Sequence, residues 1–403
     1  MANITLTKGQ AVGKEIAIER YRSRKPYTVI AGYAGTGKST LVSVIIEALG
    51  ISKSRVCFAA FSGKAANVLR QKGNEHSITI HKLIYHAVLQ PNGEYDYVPV
   101  DNLDDYSLIV IDEVSMVPQN MIDQLLSYGV HIIFLGDPFQ LPPVDTDNGN
   151  HLLDTPHVFL DEIMRQAEDS EIISIGCKIR NFEPVEFSNG HDTAVIANRD
   201  LNNTTLLWAD EIICATNKTR HALNAYVRDL RGRGALPEVG DKIICLHNYW
   251  EIASDDEMPL TNGCIGTIET MVESTFQVPR RCAKYCSVQS MPVLICSIKT
   301  ENGNYSNIVI DKNQLITGQR TLTGKDEYHI LTEFNKLDKA GISHMHIPMD
   351  FNYGYAITCH KAQGSEWKNI VIKEEWFPND KEEHARWLYT AVTRASEKVV
   401  IAR

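Results

Sequence analysis

Ile30-Ala31-Gly32-Tyr33-Ala34-Gly35-Thr36-Gly37-Lys38-Ser39-Thr40 fits the pattern G-x-x-x-x-G-K-[ST] without a mismatch. Ahead of it, Tyr27-Thr28-Val29-Ile30-Ala31 is β-rich and apolar enough for a buried strand. Behind it, the apolar run from Leu41 to Leu49 is helix-length and closes on Gly50, a C-cap residue. Strand, glycine loop and helix in this order present backbone N–H groups and a helix N-terminus to an anion. The candidate nucleotide-binding residues are therefore Gly35, Thr36, Gly37, Lys38, Ser39 and Thr40. Lys38 has the reach for β- and γ-phosphates, and the Ser39 hydroxyl suits Mg²⁺.

The 403 residues allow two to four domains, and 43% hydrophobic with 22% charged residues describes an ordinary globular chain. The first residues, Met1 to Lys8, hold no apolar run of signal-peptide type. No apolar stretch reaches the roughly 18 residues of a membrane span. A cytoplasmic protein without a membrane partner is expected. Nine scattered cysteines suit reduced thiols, and the Cys282/Cys286 pair lacks the spacing of a zinc ribbon or finger. The net charge of −10 does not exclude nucleic acid, because a basic groove coexists with acidic faces elsewhere. Basic clusters fall at residues 20–25, 228–233 and 280–284.

Along the chain, Thr7 opens an amphipathic helix with Val12, Ile16 and Ile18 as its apolar positions. Arg55-Val56-Cys57-Phe58-Ala59-Ala60-Phe61 is a second buried strand, running into Ser62-Gly63-Lys64. Open α/β sheets bind ligands at that edge. Ser77-Ile78-Thr79-Ile80-His81 offers a second polar step. Pro91-Asn92-Gly93 between two β-rich runs predicts a hairpin over about 86–100. The strand Ser107-Leu108-Ile109-Val110-Ile111 ends in Asp112 and Glu113, the carboxylates a phosphate-loop protein needs for its Mg²⁺ shell and attacking water. Another strand, His131 to Leu135, ends in Gly136-Asp137-Pro138-Phe139-Gln140.

These segments together resemble the superfamily 1 helicases, on their RecD-like branch. The likeness continues through Met164-Arg165-Gln166, through Ala215-Thr216-Asn217-Lys218-Thr219-Arg220, through Thr358-Cys359-His360-Lys361-Ala362-Gln363-Gly364, and through Tyr389-Thr390-Ala391-Val392-Thr393-Arg394. It spans Gln10 to Arg394.

The resemblance implies an α/β fold of two RecA-like phosphate-loop motor domains, at 1–160 and at 161–230 with 346–403. It places the small hairpin in the first. A β-rich insertion at 231–345, SH3-like in the family, interrupts the second. It implies an ATP- and Mg²⁺-dependent 5′-to-3′ DNA helicase. In that role Gln140 senses the γ-phosphate, Arg165 and Arg394 are arginine fingers, Gln10 recognises adenine and Glu366 touches the ribose. Ser62, Lys64, Thr79, His81, Asn217, Thr358, His360 and Lys361 match strand-contacting positions, and Tyr95 or Tyr97 would cap the last base pair. The implied partners are single-stranded DNA and its junctions with duplex, with single-strand-binding, replication or recombination proteins as further candidates. A monomer in a bacterial or phage-infected cell is expected. An RNA helicase of the same fold and a nucleotide-gated remodelling factor that displaces proteins stay open as alternatives.

Overall fold

The computed structural model describes residues 5–74, 76–89, 95–142, 150–163, 170–255, 258–339, 347–376 and 380–403. Two compact units result: Met1–Ile84 with Val100–Arg220 and Ile357–Arg403, and Tyr85–Pro99 with His221–Ala356.

The first unit holds two α/β lobes. In the first lobe the strands lie in the order Ile78–Thr79, Val56–Ala60, Leu108–Asp112, Ile132–Gly136, Tyr27–Gly32, Val158–Leu160. All of these neighbours pair in parallel. Ile132–Gly136 is buried at every residue, and Leu108–Asp112 at all but its last. Such continuous apolar runs suit a sheet covered on both faces. The phosphate-loop strand thus lies inside the sheet, and the strands ending in Gly32, Gly136, Asp112 and Ala60 share one carboxyl edge.

The helix Lys8–Arg22 begins with the expected Thr7 cap, completed into a capping box by Gln10. Its inward face differs from the expected one. Gln10, Gly13, Ala17 and Ile18 are buried, while Val12 is 60% exposed. Gly13 is the reason: a Cβ there would stand 2.6 Å from Val158 Cγ1, so the helix backbone lies directly on the sheet.

In the second lobe the order is Ala356–Thr358, Glu211–Cys214, Trp367–Lys373, Ala395–Ala402, Thr193–Ile196, Ser188–Asn189. The pairings from Glu211–Cys214 to Thr193–Ile196 are parallel. Two parallel sheets with covering helices are the two RecA-like domains.

The second unit contains the expected hairpin, Tyr85–Leu89 against Tyr95–Pro99. It also contains a five-stranded antiparallel sheet in the order Gly303–Asp311, Ser290–Thr300, Ile265–Gln277, Lys242–Cys245, Phe351–Tyr353. A bridge from Ile310 to Met349 brings the sheet's two edges together, and Ile243, Ile268, Leu294, Tyr305 and Phe351 fill its interior. Arg228 and Arg233, from the second basic cluster, turn inward onto Asp241 at 3.1 and 2.7 Å. All nine cysteines are free thiols. No helix among the described residues is long and apolar enough to cross a membrane.

Candidate active site

Two left-handed glycines shape the phosphate loop, Gly35 at φ 78° and Gly37 at φ 75°. Side chains with a Cβ avoid that region. Lys38 Nζ donates to the carbonyls of Gly32 at 2.7 Å and Tyr33 at 3.1 Å, folding back across its own loop. Gln10 lies fully buried behind it. Its Oε1 accepts from the Thr7 N–H at 3.0 Å, and its Nε2 donates to the Thr36 carbonyl at 3.0 Å. The amide therefore braces the loop against the first helix.

A cleft of ≈ 310 Å³ opens above the loop. The first lobe contributes Gly35, Lys38, Ser39, Asp112, Glu113 and Gln140; the second contributes Glu366 and Arg394. Those eight candidates meet in one place. Gln10, Thr36, Gly37 and Thr40 support the loop without lining the cleft. Arg165 lies outside the described residues.

Burial, followed by the neighbouring Glu113 charge, pushes the Asp112 carboxyl up to about 6, while Lys38 pulls it back down. A buried acid beside a second acid favours a cation. The Asp112 carboxylate and the Ser39 hydroxyl are hard oxygen donors of the kind Mg²⁺ takes. Glu113 adopts φ 53°, ψ 45°, a conformation rare for a side chain with a Cβ and concentrated at functional sites. Its Oε1 stands 3.5 Å from Arg394 of the other lobe. Arg394 is 6% exposed and held by the carbonyls of Thr390 and Ser365 at 3.2 and 3.3 Å. Glu366 pairs with Lys72 at 3.4 Å across the cleft. Lys72 belongs to no motif, so only the fold shows it.

Sequence reasoning also missed the grip on residues 137–141. The helix Lys381–Val392 of the second lobe holds this loop at Asp137, Pro138 and Leu141. Tyr389 Oη donates to Asp137 Oδ2 at 2.7 Å and accepts the Ala34 N–H at 3.0 Å. Arg386 donates to the Pro138 carbonyl at 2.7 Å, and Thr390 Oγ1 accepts the Leu141 N–H at 2.9 Å. Gln363 adds a bond to the Leu141 carbonyl at 2.7 Å. The signal was present: Arg386, Tyr389 and Thr390 are three and four residues apart, one face of a helix. Arg180 also stacks on Tyr33 at 3.5 Å, giving this loop residue a partner in the second lobe.

The nucleic-acid candidates divide by place. Ser62 follows one strand and Thr79 ends its neighbour, and their hydroxyls accept the N–H of Ala65 at 3.1 Å and of Lys82 at 3.2 Å. Each hydroxyl retains its own proton to donate. Lys64 is 8% exposed, with Nζ 4.1 Å from the Trp367 ring centroid, and so engages the second lobe. Asn217 opens the helix Asn217–Leu230, exposed. Thr358 precedes the short helix Cys359–Ala362, which carries His360 and Lys361. Burial lowers the pKa of His81 and His360, favouring neutral rings. Tyr95 and Tyr97 lie on the hairpin strand Tyr95–Pro99, and their side chains fall outside the description.

Known proteins resemble the chain along most of its length. A family model described as an AAA domain matches residues 5–200, and a UvrD-like helicase C-terminal domain matches 353–402. The ATP-dependent RecD2 DNA helicase of Deinococcus radiodurans is 26% identical over 388 residues, covering 92% of this chain and 46% of the relative. The ATP-dependent DNA helicase dda of Enterobacteria phage T4 is 27% identical over 250 residues, covering 55% and 56%. The chain thus spans about half the length of these curated relatives. Among solved structures, Pif1 helicase from Bacteroides with ADP-AlF3 and single-stranded DNA superimposes with a TM-score of 0.55 at 19% identity, over 100% of this chain and 93% of that one. A Pif1 helicase from a study of unwinding at forked duplex DNA reaches 0.59 at 19% identity, over 99% and 92%. These two likenesses concern the fold.

Proposed function

We propose that the chain is a helicase of superfamily 1, on its RecD-like branch, an ATP-driven motor that moves 5′ to 3′ along single-stranded DNA and separates duplex strands. One observation carries this reading: Lys38, Ser39, Asp112, Glu113 and Gln140 of one lobe share a cleft with Arg394 of the other.

In this reading Lys38 leaves its loop carbonyls and neutralises the β- and γ-phosphates. Asp112 and Ser39 would hold Mg²⁺, whose chemistry is to polarise the phosphate oxygens. Glu113 orients the attacking water, and Gln140 reports the γ-phosphate to the loop that Tyr389 and Thr390 hold. Arg394 approaches the transferring phosphoryl group from the opposite lobe, as does Arg165 on family grounds. A guanidinium stabilises transition-state charge only once in place, so closure and hydrolysis are coupled. Glu366 reaches the ribose by parting from Lys72. Gln10 acts on the nucleotide chiefly through Thr36, and the family's adenine contact requires its amide to reorient.

DNA would run along the strand ends that carry Ser62, Thr79 and His81 and those that carry Asn217, Thr358, His360 and Lys361. Hydroxyl donors hold phosphates without reading sequence, and neutral rings stack on bases. Lys64 joins them only by leaving Trp367. The hairpin at 85–99 is the proposed strand separator, with Tyr95 or Tyr97 at its working edge. The division into motor domains at 1–160 and at 161–230 with 346–403, the SH3-like character of the insertion at 231–345, the monomeric state and a cytoplasmic setting belong to the same proposal.

Strand displacement tests it, using ATP, Mg²⁺ and duplexes with a 5′ or a 3′ single-stranded tail. The expected result is displacement of the 5′-tailed duplex alone, lost in Lys38→Ala. Displacement from the 3′ tail alone overturns the polarity. Single-strand-stimulated hydrolysis that displaces neither duplex favours the remodelling factor.

A further inference from the structure

The third basic cluster, residues 280–284, falls in none of the motifs that carry the helicase resemblance. It sits at the end of the long hairpin formed by Ile265–Gln277 and Ser290–Thr300. Residues 276–293 contain Arg280, Arg281 and Lys284 and no acidic residue. This end has a core of its own. Val278, Cys282, Met291 and Val293 pack against Leu322, Ile330 and Phe334, the last two from the helix Gly324–Lys339. Asp326 clasps hairpin to helix, accepting from the Ser287 N–H and hydroxyl and from the Thr323 N–H and hydroxyl. The subdomain is therefore a rigid platform.

Its outer face combines aromatic rings with positive charge. Tyr285 is 53% exposed and stacks on His329 of the helix, with centroids 5.1 Å apart and planes at 25°. Tyr328, 38% exposed, meets the His329 ring edge-on at 5.3 Å. Lys284 Nζ lies 4.7 Å from the Tyr285 centroid. The acids with described side chains turn the other way: Asp326 onto its hydroxyls, Glu327 onto Arg320, and Glu333 onto Arg281 and Lys336. Arg280, Lys284 and Lys325 stand exposed. Among the described side chains, these inward acids leave the face positive in a chain of net charge −10.

We propose that the Tyr285–His329 platform is a second binding surface for single-stranded nucleic acid, remote in sequence from every strand-contacting motif. Exposed rings accept bases of any identity, and adjacent cations hold the intervening phosphates. A base arriving on Tyr285 displaces the flexible Lys284, which then lies within reach of the phosphate. Duplex, whose bases are already stacked, has no use for exposed rings.

The proposal shares with the motor reading only the ligand class. The test irradiates the full chain bound to a bromodeoxyuridine-substituted oligothymidylate and maps the crosslinked peptides. Crosslinks to the peptides of Tyr285 or His329 are expected, reduced about tenfold in Tyr285→Ala by loss of one stacked base and restored in Tyr285→Phe. Arg280→Glu with Lys284→Glu should lower the salt slope of that crosslink by about 1.4, two phosphate contacts at about 0.7 each. An unchanged thermal midpoint in Tyr285→Ala shows that the platform still folds. Lys38→Ala should retain the crosslink, so failure of the motor and failure of this surface are distinguishable. Absence of crosslinks at the platform, an undiminished yield in Tyr285→Ala, or competition by blunt duplex as effective as by single strand each overturns the proposal.

Discussion

Replacing Tyr389 by Phe isolates the bond network that joins the two lobes. The ring is 2% exposed and meets Phe139 edge-on at 5.3 Å, contacts that Phe retains. What disappears is one hydroxyl with two partners, the Asp137 carboxylate at 2.7 Å and the Ala34 N–H at 3.0 Å. A hydrogen bond to a charged group contributes about 1.5–3 kcal/mol, and the neutral bond lost by the Ala34 N–H, half-buried at the cleft, about 0.5–1.5 kcal/mol. Asp137 keeps the Phe139 N–H at 3.0 Å, which softens the loss. We therefore expect about 2–4 kcal/mol of weakened coupling between the loop at residues 137–141, the glycine loop and the second-lobe helix. In the proposed single-strand-stimulated ATP hydrolysis this corresponds to a fall in kcat/KM of about 30-fold or more. The decisive assay is a double-mutant cycle with Asp137→Asn, measured on the same rate. If the hydroxyl works through Asp137, the interaction energy is at least about 1 kcal/mol, because the second substitution removes what the first already lost. Additivity within about 0.5 kcal/mol would refute the reasoning. Tyr389 would then be a packing residue.

Other perturbations probe the scaffold. Gly13→Ala drives a methyl to within 2.6 Å of Val158 Cγ1; overpacking of this kind costs about 1–3 kcal/mol, read as a lower urea midpoint with unchanged slope. For Asp241, burial alone would raise the pKa, but hydrogen bonds from Arg228 and Arg233 outweigh it and hold the acid below its ordinary value. Asp241→Asn leaves Arg228 buried without its carboxylate and should cost the second unit about 3–5 kcal/mol by differential scanning calorimetry; a change under about 1 kcal/mol would contradict the pairing. Glu171 is lowered to about 2 by hydrogen bonds from the Asp192 and His191 N–H groups. A depressed carboxyl stabilises fully above its unfolded pKa and loses that contribution as pH falls toward 2. The wild-type unfolding midpoint should therefore drop more steeply than that of Glu171→Gln between about pH 4.5 and pH 2; parallel curves would show that Glu171 does not anchor the turn at 190–193.

Legibility in the sequence followed the range of the interaction involved. The strand, glycine loop and helix around Lys38 were readable because each requirement is local: apolar alternation or its absence, left-handed glycines, a cap. The Asp112-Glu113 pair and Gln140 were readable because parallel strands ending in polar residues place them on one edge. The resemblance added Arg394 and Glu366, which local pattern alone could not join to the cleft. Val12 shows the limit from the other side. Its helical spacing looked inward, but the small Gly13 let the backbone approach the sheet and rotated Val12 into solvent. Lys72 and the Tyr389 hydroxyl were invisible because their partners, Glu366, Asp137 and Ala34, are hundreds of residues away in the chain.

The sequence by itself determined that this chain builds a left-handed glycine loop between strand and helix, two carboxylates at a strand tip and buried strands, since short-range sterics and hydrogen bonding dictate those elements. Tertiary structure alone decided which polar groups meet across the two lobes. It spent the Gln10 amide on bracing the loop, stacked Lys64 on Trp367, and fastened residues 137–141 to the helix Lys381–Val392. It also turned the acids of the hairpin subdomain inward and left Tyr285 outside. The physical reason is common to these cases. A side chain's partner depends on distances between elements, and those are set by the packing of the entire core.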